Sequence, residues 1–169
     1  MGGQVGDSGR ISNESVDADV LNTLRTSADV IVHRSRVTRG TLKVGDTVTA
    51  KVEEGRRWDI ARNHTATHLL QAALRATLGQ QVSQRGSLVE PERFRFDFTW
   101  IGSIDRDHLE SIERWVNEKI RANLSVRTRH ASYDEALQEG AIALFDEKYG
   151  EQVRVVAIGE PPISTELCG

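Results

Sequence analysis

The chain has 169 residues, of which 38% are hydrophobic and 28% are charged, and its formal net charge is −3. This composition is typical of a globular protein with one domain or two small ones, and the negative balance excludes a generally basic nucleic-acid-binding body, so any RNA contact must be local. No apolar run reaches the roughly 20 residues of a membrane helix, and the first residues do not resemble a signal peptide, which predicts a cytoplasmic protein without a membrane partner.

The first third of the chain predicts short strands joined by turns. β-Branched residues alternate with polar ones there, and Gly40 and Gly45 stand where hairpin turns need glycine. Three strands are expected, over residues 30–37, 41–44 and 47–52. A small β-barrel is the simplest closure of such strands, and we assign it to a first domain of residues 1–57.

After residue 57 the hydrophobic period changes, which predicts a second domain over residues 58–169. Residues 59–78 follow a helical period that Gly79 ends. At about 100° per residue, one face of this helix is apolar and is expected to be core. The opposite face is polar and consists of His64, Thr67, His68 and Gln71.

The remainder of the second domain predicts strands and helices in mixed order. The aromatic residues of a strict period-two strand are Phe94, Phe96, Phe98 and Trp100. An amphipathic helix is expected from Asp107 as N-cap to about Asn123, and a shorter one from Ser132 to Gly140. A Val-rich strand follows over residues 152–158. We predict an α+β (α/β two-layer) domain, with an antiparallel sheet covered by helices.

His64, His68 and Cys168 are the candidate metal ligands. The two histidines stand at i and i+4, so their imidazoles project from one helical face and can share a metal ion. Cys168 is the only cysteine, which excludes an internal disulfide. Thr65 occupies the position where a zincin protease carries its glutamate base, and nothing nearby in the sequence would activate Cys168 as a nucleophile. Zinc favours mixed Cys and His ligands, so we expect a partial zinc site.

Residues 63–70, NHTATHLL, resemble the first zinc motif of alanyl-tRNA synthetase editing domains and of their free-standing relatives. Further segments match the same family in the same order along nearly the whole chain. They are residues 2–7, 84–89, 93–98, 140–145, 147–150 and 166–169.

The resemblance implies roles for particular residues. Zinc would be held by His64, His68, Cys168 and a histidine shortly after Gly169, so a chain that ends at Gly169 is expected to bind zinc weakly or not at all. Two residues are implied to lie in the editing pocket, Thr67 and Gln84; without the resemblance they would be interpreted as a helix-surface threonine and a loop amide. The opening glycine motif is implied to line the wall of that pocket, with Gly2, Gly3 and Gln4, although its composition alone indicates a flexible terminus.

The activity implied by the resemblance is hydrolysis of tRNA(Ala) mischarged with serine or glycine, in support of alanyl-tRNA aminoacylation. The expected partners are the tRNA(Ala) acceptor end and the rest of a synthetase chain, and ATP would be needed only in an aminoacylation domain, which nothing in this sequence resembles. Two alternatives stay open: a threonyl-tRNA synthetase editing-type domain and an inactive, zinc-stabilised tRNA-binding module. Whether zinc activates water or holds the substrate also stays open.

Overall fold

The computed structural model describes residues 3–143 and 150–168. The chain forms two compact units. The N-terminal unit consists of Val5–Ala61 and Glu90–Glu92, and the C-terminal unit of Met1–Gln4, Arg62–Val89 and Arg93–Gly169. The motif residues 144, 145 and 147–149 lie outside the described residues. Within the described ranges, no helix has the length and apolarity needed to cross a membrane.

The N-terminal unit is built on one antiparallel sheet. Its strands are β1 (Gly9–Ser12), β2 (Asp17–Arg25), β3 (Ile31–Arg39) and β4 (Thr49–Val52), in the spatial order β3-β2-β1-β4. The side-chain carboxamide oxygen of Asn13 accepts hydrogen bonds from the backbone N–H groups of Ser15 and Val16, which closes the turn between β1 and β2. Val16, Ala18 and Val20 are buried and form the core beneath β2.

The closed barrel predicted for this region is not formed by the described residues. The sheet is open, because β3 and β4 are its outer strands and are not paired with each other. The strand predicted over residues 41–44 is a loop, in which the Lys43 N–H donates to the Asp46 carboxylate at 2.8 Å and the Asp46 N–H donates to the Lys43 carbonyl at 3.2 Å. Backbone groups that are bonded within a turn cannot pair with a neighbouring strand. The sequence pattern also missed β1 and β2, which occupy the centre of the sheet.

The C-terminal unit contains two antiparallel sheets and most of the helical residues. Strand β5 (Ser83–Val89) pairs with β6 (Phe94–Thr99), and a second sheet has the order β7-β8-β9. The strands of that sheet are β7 (Val126–Ser132), β8 (Gln152–Ile158) and β9 (Ser164–Leu167). The helices are α1 (Glu54–Leu78), which begins in the N-terminal unit, α2 (Arg106–Arg121) and α3 (Tyr133–Gln138). The predicted α+β class with antiparallel sheets is confirmed.

Helices pack against both sheets of the C-terminal unit. Ala73 and Leu74 of α1 and Ile112 of α2 are buried in one cluster, against which Phe96 and Phe98 of β6 pack. The inward side chains of β6 alternate with exposed ones, so the period-two prediction is confirmed for this strand. Strand β8 is buried on both faces, because its side chains alternate between two core clusters. Val155 joins the cluster of α3, whereas Val156 joins that of Leu69 on α1.

The helix boundaries agree with the predictions at some ends only. Helix α1 ends at Leu78, before Gly79 with φ +115°, as predicted, but it begins at Glu54 rather than at residue 59. Ser132 caps α3 as predicted. The prediction that Asp107 caps α2 is wrong, because the side chain of Asp105 accepts from the His108 N–H at 2.8 Å.

The polar face of α1 is largely buried inside the C-terminal unit, with only His64 half-exposed. Thr67 and His68 are only 5% and 6% exposed, and Gln71 is 0% exposed. The Gln71 amide donates to the Val82 carbonyl at 3.5 Å. Burial of polar groups costs free energy unless they find partners, so this face is a candidate site rather than a solvated surface.

Candidate metal centre

Helix α1 holds His64 and His68 side by side. Their ring centroids are 5.1 Å apart and their planes differ by 21°. Side chains four residues apart on a helix lie on one face, and burial of the neighbouring Leu69 and Ala73 fixes the direction of that face. Both imidazoles are therefore directed by the packing of the helix core.

Strand β9 and the residue after it bring Cys168 to the histidines from the other end of the chain. The Cys168 N–H donates to the Arg154 carbonyl at 2.9 Å, which continues the pairing of β9 with β8 by one residue. The Cys168 Sγ lies 3.1 Å from His64 Nε2. The potential ligand atoms of His64, His68 and Cys168 all lie within 4.8 Å of one another.

A buried carboxylate adjoins this cluster. Glu166 is 1% exposed, and its Oε2 lies 2.5 Å from His68 Nδ1. Its other oxygen, Oε1, accepts a hydrogen bond from the Ser164 hydroxyl at 2.8 Å. Alternation along β9 explains the arrangement, since residues 164, 166 and 168 share one face of an extended chain.

The buried groups change one another's proton affinity. Burial acts to lower the pKa of His68, but hydrogen bonds to Cys168 and Glu166 and their negative charges raise it from 6.5 to about 9. Burial acts to raise the pKa of Cys168, but hydrogen bonds with His64 and His68 and their charges lower it from 9.0 to about 6. Near neutral pH the sulfur is therefore a thiolate, which is the form that binds metal ions.

The donor set fits zinc. Two imidazole nitrogens and one thiolate are the ligands that structural and catalytic zinc sites use. Ligand atoms on one tetrahedral zinc are about 3.5 Å apart. The observed spacing, within 4.8 Å, thus needs only small side-chain adjustments.

Thr67 lies on α1 between the two histidines. Its hydroxyl donates to the His64 carbonyl at 2.7 Å, so the hydroxyl proton is used within the helix. The lone pairs of Thr67 Oγ1 remain as acceptors. The interpretation of Thr67 as an exposed helix-surface residue is therefore wrong, since only 5% of it is exposed.

Gln84 lies in strand β5 rather than in a loop. It pairs with Phe98 and is 7% exposed, and the register of β5 against β6 shifts between Gln84 and Gly86. Such bulges redirect side chains and often occur near functional sites.

The described part of the opening motif is ordered beside β5. The Gly3 carbonyl accepts from the Val89 N–H at 2.8 Å, and Gln4 forms a parallel bridge with Val89. Gly3 has φ +76°, in a conformation that favours glycine. The interpretation of this segment as a flexible terminus is wrong for Gly3 and Gln4, whereas Gly2 lies outside the described residues.

Comparison with known proteins identifies the family. Residues 1–56 match the family described as tRNA synthetases class II (A). An alanine–tRNA ligase of Dehalococcoides mccartyi is 52% identical over the entire chain. Those of Carboxydothermus hydrogenoformans and Desulfosudis oleivorans are 51% and 46% identical over 99% of it. By sequence the chain belongs to the alanine–tRNA ligase family. It spans 19% of the length of each of these three relatives.

The region matched to these relatives includes every residue of the candidate metal centre. The match with the Dehalococcoides mccartyi ligase spans all 169 residues, so it includes both the α1 histidines and the distant Cys168. The cluster is thus part of a segment shared with alanine–tRNA ligases. The roles of Thr67, Gln84 and the opening glycine motif stay predictions.

Glu166 is the site residue that sequence reasoning missed. It lies in the matched segment of residues 166–169, in which only Cys168 was predicted to be a metal ligand. A usable signal was present, because a strand places residues two apart on the same face and Glu166 precedes Cys168 by two. A carboxylate two residues before a strand-borne ligand is a candidate partner for a neighbouring histidine.

Replacing Gly3 by alanine is expected to destabilise the C-terminal unit by about 1–3 kcal/mol, because the new side chain meets both a strained backbone and its neighbours. A Cβ at Gly3 would lie 2.3 Å from Ser87 Oγ and 2.5 Å from the Ser87 carbonyl oxygen. Urea unfolding measures the effect. Gly102→Ala is the matched control, since Gly102 has φ +102° but no atom within 4 Å of a new Cβ. Equal losses in the two variants would show that the close approach to Ser87 contributes nothing.

Proposed function

We propose that this chain hydrolyses the ester of tRNA(Ala) mischarged with serine or glycine. The observation that carries the proposal is the cluster of half-buried His64 with buried His68 and Cys168, with Thr67 between the histidines, in a chain related throughout to alanine–tRNA ligases. A purely structural helix would bury apolar side chains at these positions. The burial of so many polar groups on one face supports a site for chemistry or recognition.

Such an activity would remove errors that a synthetase for alanine cannot prevent when it selects its amino acid. A missing methyl group is worth only about 1–3 kcal/mol of discrimination, so a synthetase for alanine excludes glycine poorly, and an apolar pocket also rejects an added hydroxyl weakly. Serine is larger than alanine and glycine is smaller, so size alone cannot separate both errors from the correct product. A second site must use polar recognition.

Thr67 is suited to polar recognition of serine. Because its hydroxyl proton is donated to the His64 carbonyl, its oxygen can only accept a further hydrogen bond. A serine hydroxyl can donate to it, whereas the methyl group of alanine leaves it unpaired at a cost of about 1–3 kcal/mol. We assign Gln84 to the recognition of the same hydroxyl. Its side-chain amide is positioned by the bulge in β5.

The reaction is the transfer of an acyl group to water. The water oxygen bonds to the ester carbonyl carbon, the bond from that carbon to the ribose oxygen breaks, and the water's protons are shared between the freed ribose hydroxyl and solvent. The histidines and Cys168 would hold zinc, which can polarise a carbonyl or orient bound substrate groups. Stabilising the negative charge on the carbonyl oxygen is the main requirement of this chemistry.

A deacylation assay with matched substrates tests the proposal. Ser-tRNA(Ala), Gly-tRNA(Ala), Ala-tRNA(Ala) and Ser-tRNA(Thr) are compared, with and without added zinc. We expect the serine ester of tRNA(Ala) to be hydrolysed at least about fivefold faster than the alanine ester, which corresponds to about 1 kcal/mol, the lower end of the discrimination that one unpaired group provides. The glycine ester should also be hydrolysed. Preference for Ser-tRNA(Thr) would favour the threonyl-type alternative, and tRNA binding without hydrolysis would favour the binding module.

Exchange of Thr67 for valine should reduce discrimination between serine and alanine esters by about 10–100-fold, because valine keeps the shape and removes the acceptor. The measurement is kcat/KM for Ser-tRNA(Ala) and Ala-tRNA(Ala). Thr77→Val is the matched control on the same helix. Thr67→Ser should retain discrimination, since it retains the hydroxyl. If Thr67→Val discriminates as well as the parent, Thr67 has no part in substrate choice.

A further inference from the structure

Glu166 and Ser164 form a hydrogen-bonded chain that ends at His68. The Ser164 hydroxyl donates to Glu166 Oε1 at 2.8 Å, and Glu166 Oε2 lies 2.5 Å from His68 Nδ1. All three residues are at least nine-tenths buried, with exposures of 7%, 1% and 6%. Both oxygens of the carboxylate therefore have partners inside the C-terminal unit.

The position of the carboxylate determines which nitrogen of His68 is free. A carboxylate oxygen accepts hydrogen bonds, so the contact with Glu166 favours a proton on His68 Nδ1. The other nitrogen, Nε2, is then the one available to the group formed with His64 and Cys168, whose ligand atoms lie within 4.8 Å of one another. Histidine ligands of metal ions commonly have such a second partner, which fixes the tautomer and the ring orientation.

Ser164 restricts the carboxylate in turn. Ser164 and Glu166 lie two residues apart on β9, and β9 is paired to β8 along its length, with Ser164 opposite Ile158 and Glu166 opposite Val156. The strand thus holds donor and acceptor at a fixed separation. Removing the hydroxyl would leave Oε1 buried without this partner, which is unfavourable in a low-dielectric interior.

We propose that Glu166, held by Ser164, is a positioning residue that keeps the proton on His68 Nδ1 and presents His68 Nε2 to a metal ion shared with His64 and Cys168. The inference rests on the metal centre within the proposed function and is independent of ester hydrolysis. A buried ion pair that merely joins α1 to β9 is the competing explanation.

The test measures zinc affinity and the tautomer of His68 in the 169-residue chain. Zinc dissociation constants are obtained by competition with a chelator for the parent, Glu166→Gln and Ser164→Ala. Nitrogen NMR shifts of the zinc-loaded chains report which nitrogen of His68 carries the proton. Loss of the carboxylate that is hydrogen-bonded to a metal-binding histidine costs about 10–100-fold in metal affinity. We expect Glu166→Gln to weaken zinc binding in that range and to mix the His68 tautomers, with a smaller loss in Ser164→Ala. Glu110→Gln is the matched control, because Glu110 is an exposed carboxylate on α2.

The outcomes separate a positioning role from a structural one. The proposal would be overturned if Glu166→Gln only lowers the melting temperature of the metal-free chain. In that case its zinc affinity stays within twofold of the parent and the tautomer of His68 is unchanged. If Glu166→Gln does not fold, Ser164→Ala decides by the same two readouts. The weak zinc binding expected of this chain is sufficient for the comparison of variants, whereas a parent that binds no zinc at any concentration overturns the proposal as well. A parent that binds zinc with the expected dependence on Glu166, but hydrolyses no ester, supports the positioning role and removes the proposed function instead.

Discussion

Exchange of Cys168 for serine is expected to weaken zinc binding by roughly a hundredfold or more. A structural zinc site with four ligands binds with about 10–16 kcal/mol, so each ligand contributes about 3 kcal/mol, which is roughly a hundredfold in affinity. Serine is a poor substitute because zinc favours thiolate and imidazole over an alcohol. Competition with a chelator measures the affinity, and cobalt in place of zinc gives a thiolate charge-transfer band.

The cobalt band makes this test specific. Cys168 is the only cysteine of the chain, so the band has a single possible source and should vanish in Cys168→Ser. His130→Ala provides a control, because His130 is exposed and lies outside the cluster. Unchanged zinc affinity in Cys168→Ser would remove the sulfur from the site and leave the two α1 histidines without their third partner.

After a chelator has removed metal from the chain, the thiol of Cys168 should ionise to a thiolate around pH 6 rather than near pH 9. Burial opposes this, but hydrogen bonds with His64 and His68 lower the pKa to about 6. The ultraviolet absorbance of the thiolate follows the titration, and the single cysteine makes the signal unambiguous. Replacing both histidines by alanine should move the midpoint back to 9 or above, because only the burial effect then remains.

The same shift determines how pH affects stability and zinc uptake. The pKa of Cys168 is lower in the folded chain than in the unfolded chain, so its thiolate contributes fully to the stability of the fold above pH 9. This contribution disappears as pH falls through about 6. For His68, the raised pKa gives a contribution that is complete below 6.5 and lost as pH rises through about 9. Zinc affinity should fall below pH 6, where a proton competes for the sulfur. A thiol midpoint near 9 in the parent would contradict the proposed coupling.

Local patterns predicted the elements whose own periodicity is strong. Strand β8 was predicted with its observed limits, and the end of α1 at Gly79 and the Ser132 cap of α3 were also correct. These features depend on neighbouring residues: an alternation of side chains, a glycine at positive φ, a hydroxyl beside free N–H groups. The closed barrel was wrong because closure depends on which distant strands pair, and local alternation does not contain that information.

The sequence by itself determined the family to which the chain belongs, the α+β class and the three candidate ligands, because motifs and periodicities are properties of neighbouring residues. Only the tertiary structure decided that β9 lies against α1, which places Cys168 3.1 Å from His64 across 104 positions of the chain. It also decided that the polar face of α1 is buried and that Glu166 contacts His68. Those facts depend on the packing of α1 and β8 around a shared core, and hydrophobic burial selects that packing for the chain as a whole rather than for any one segment.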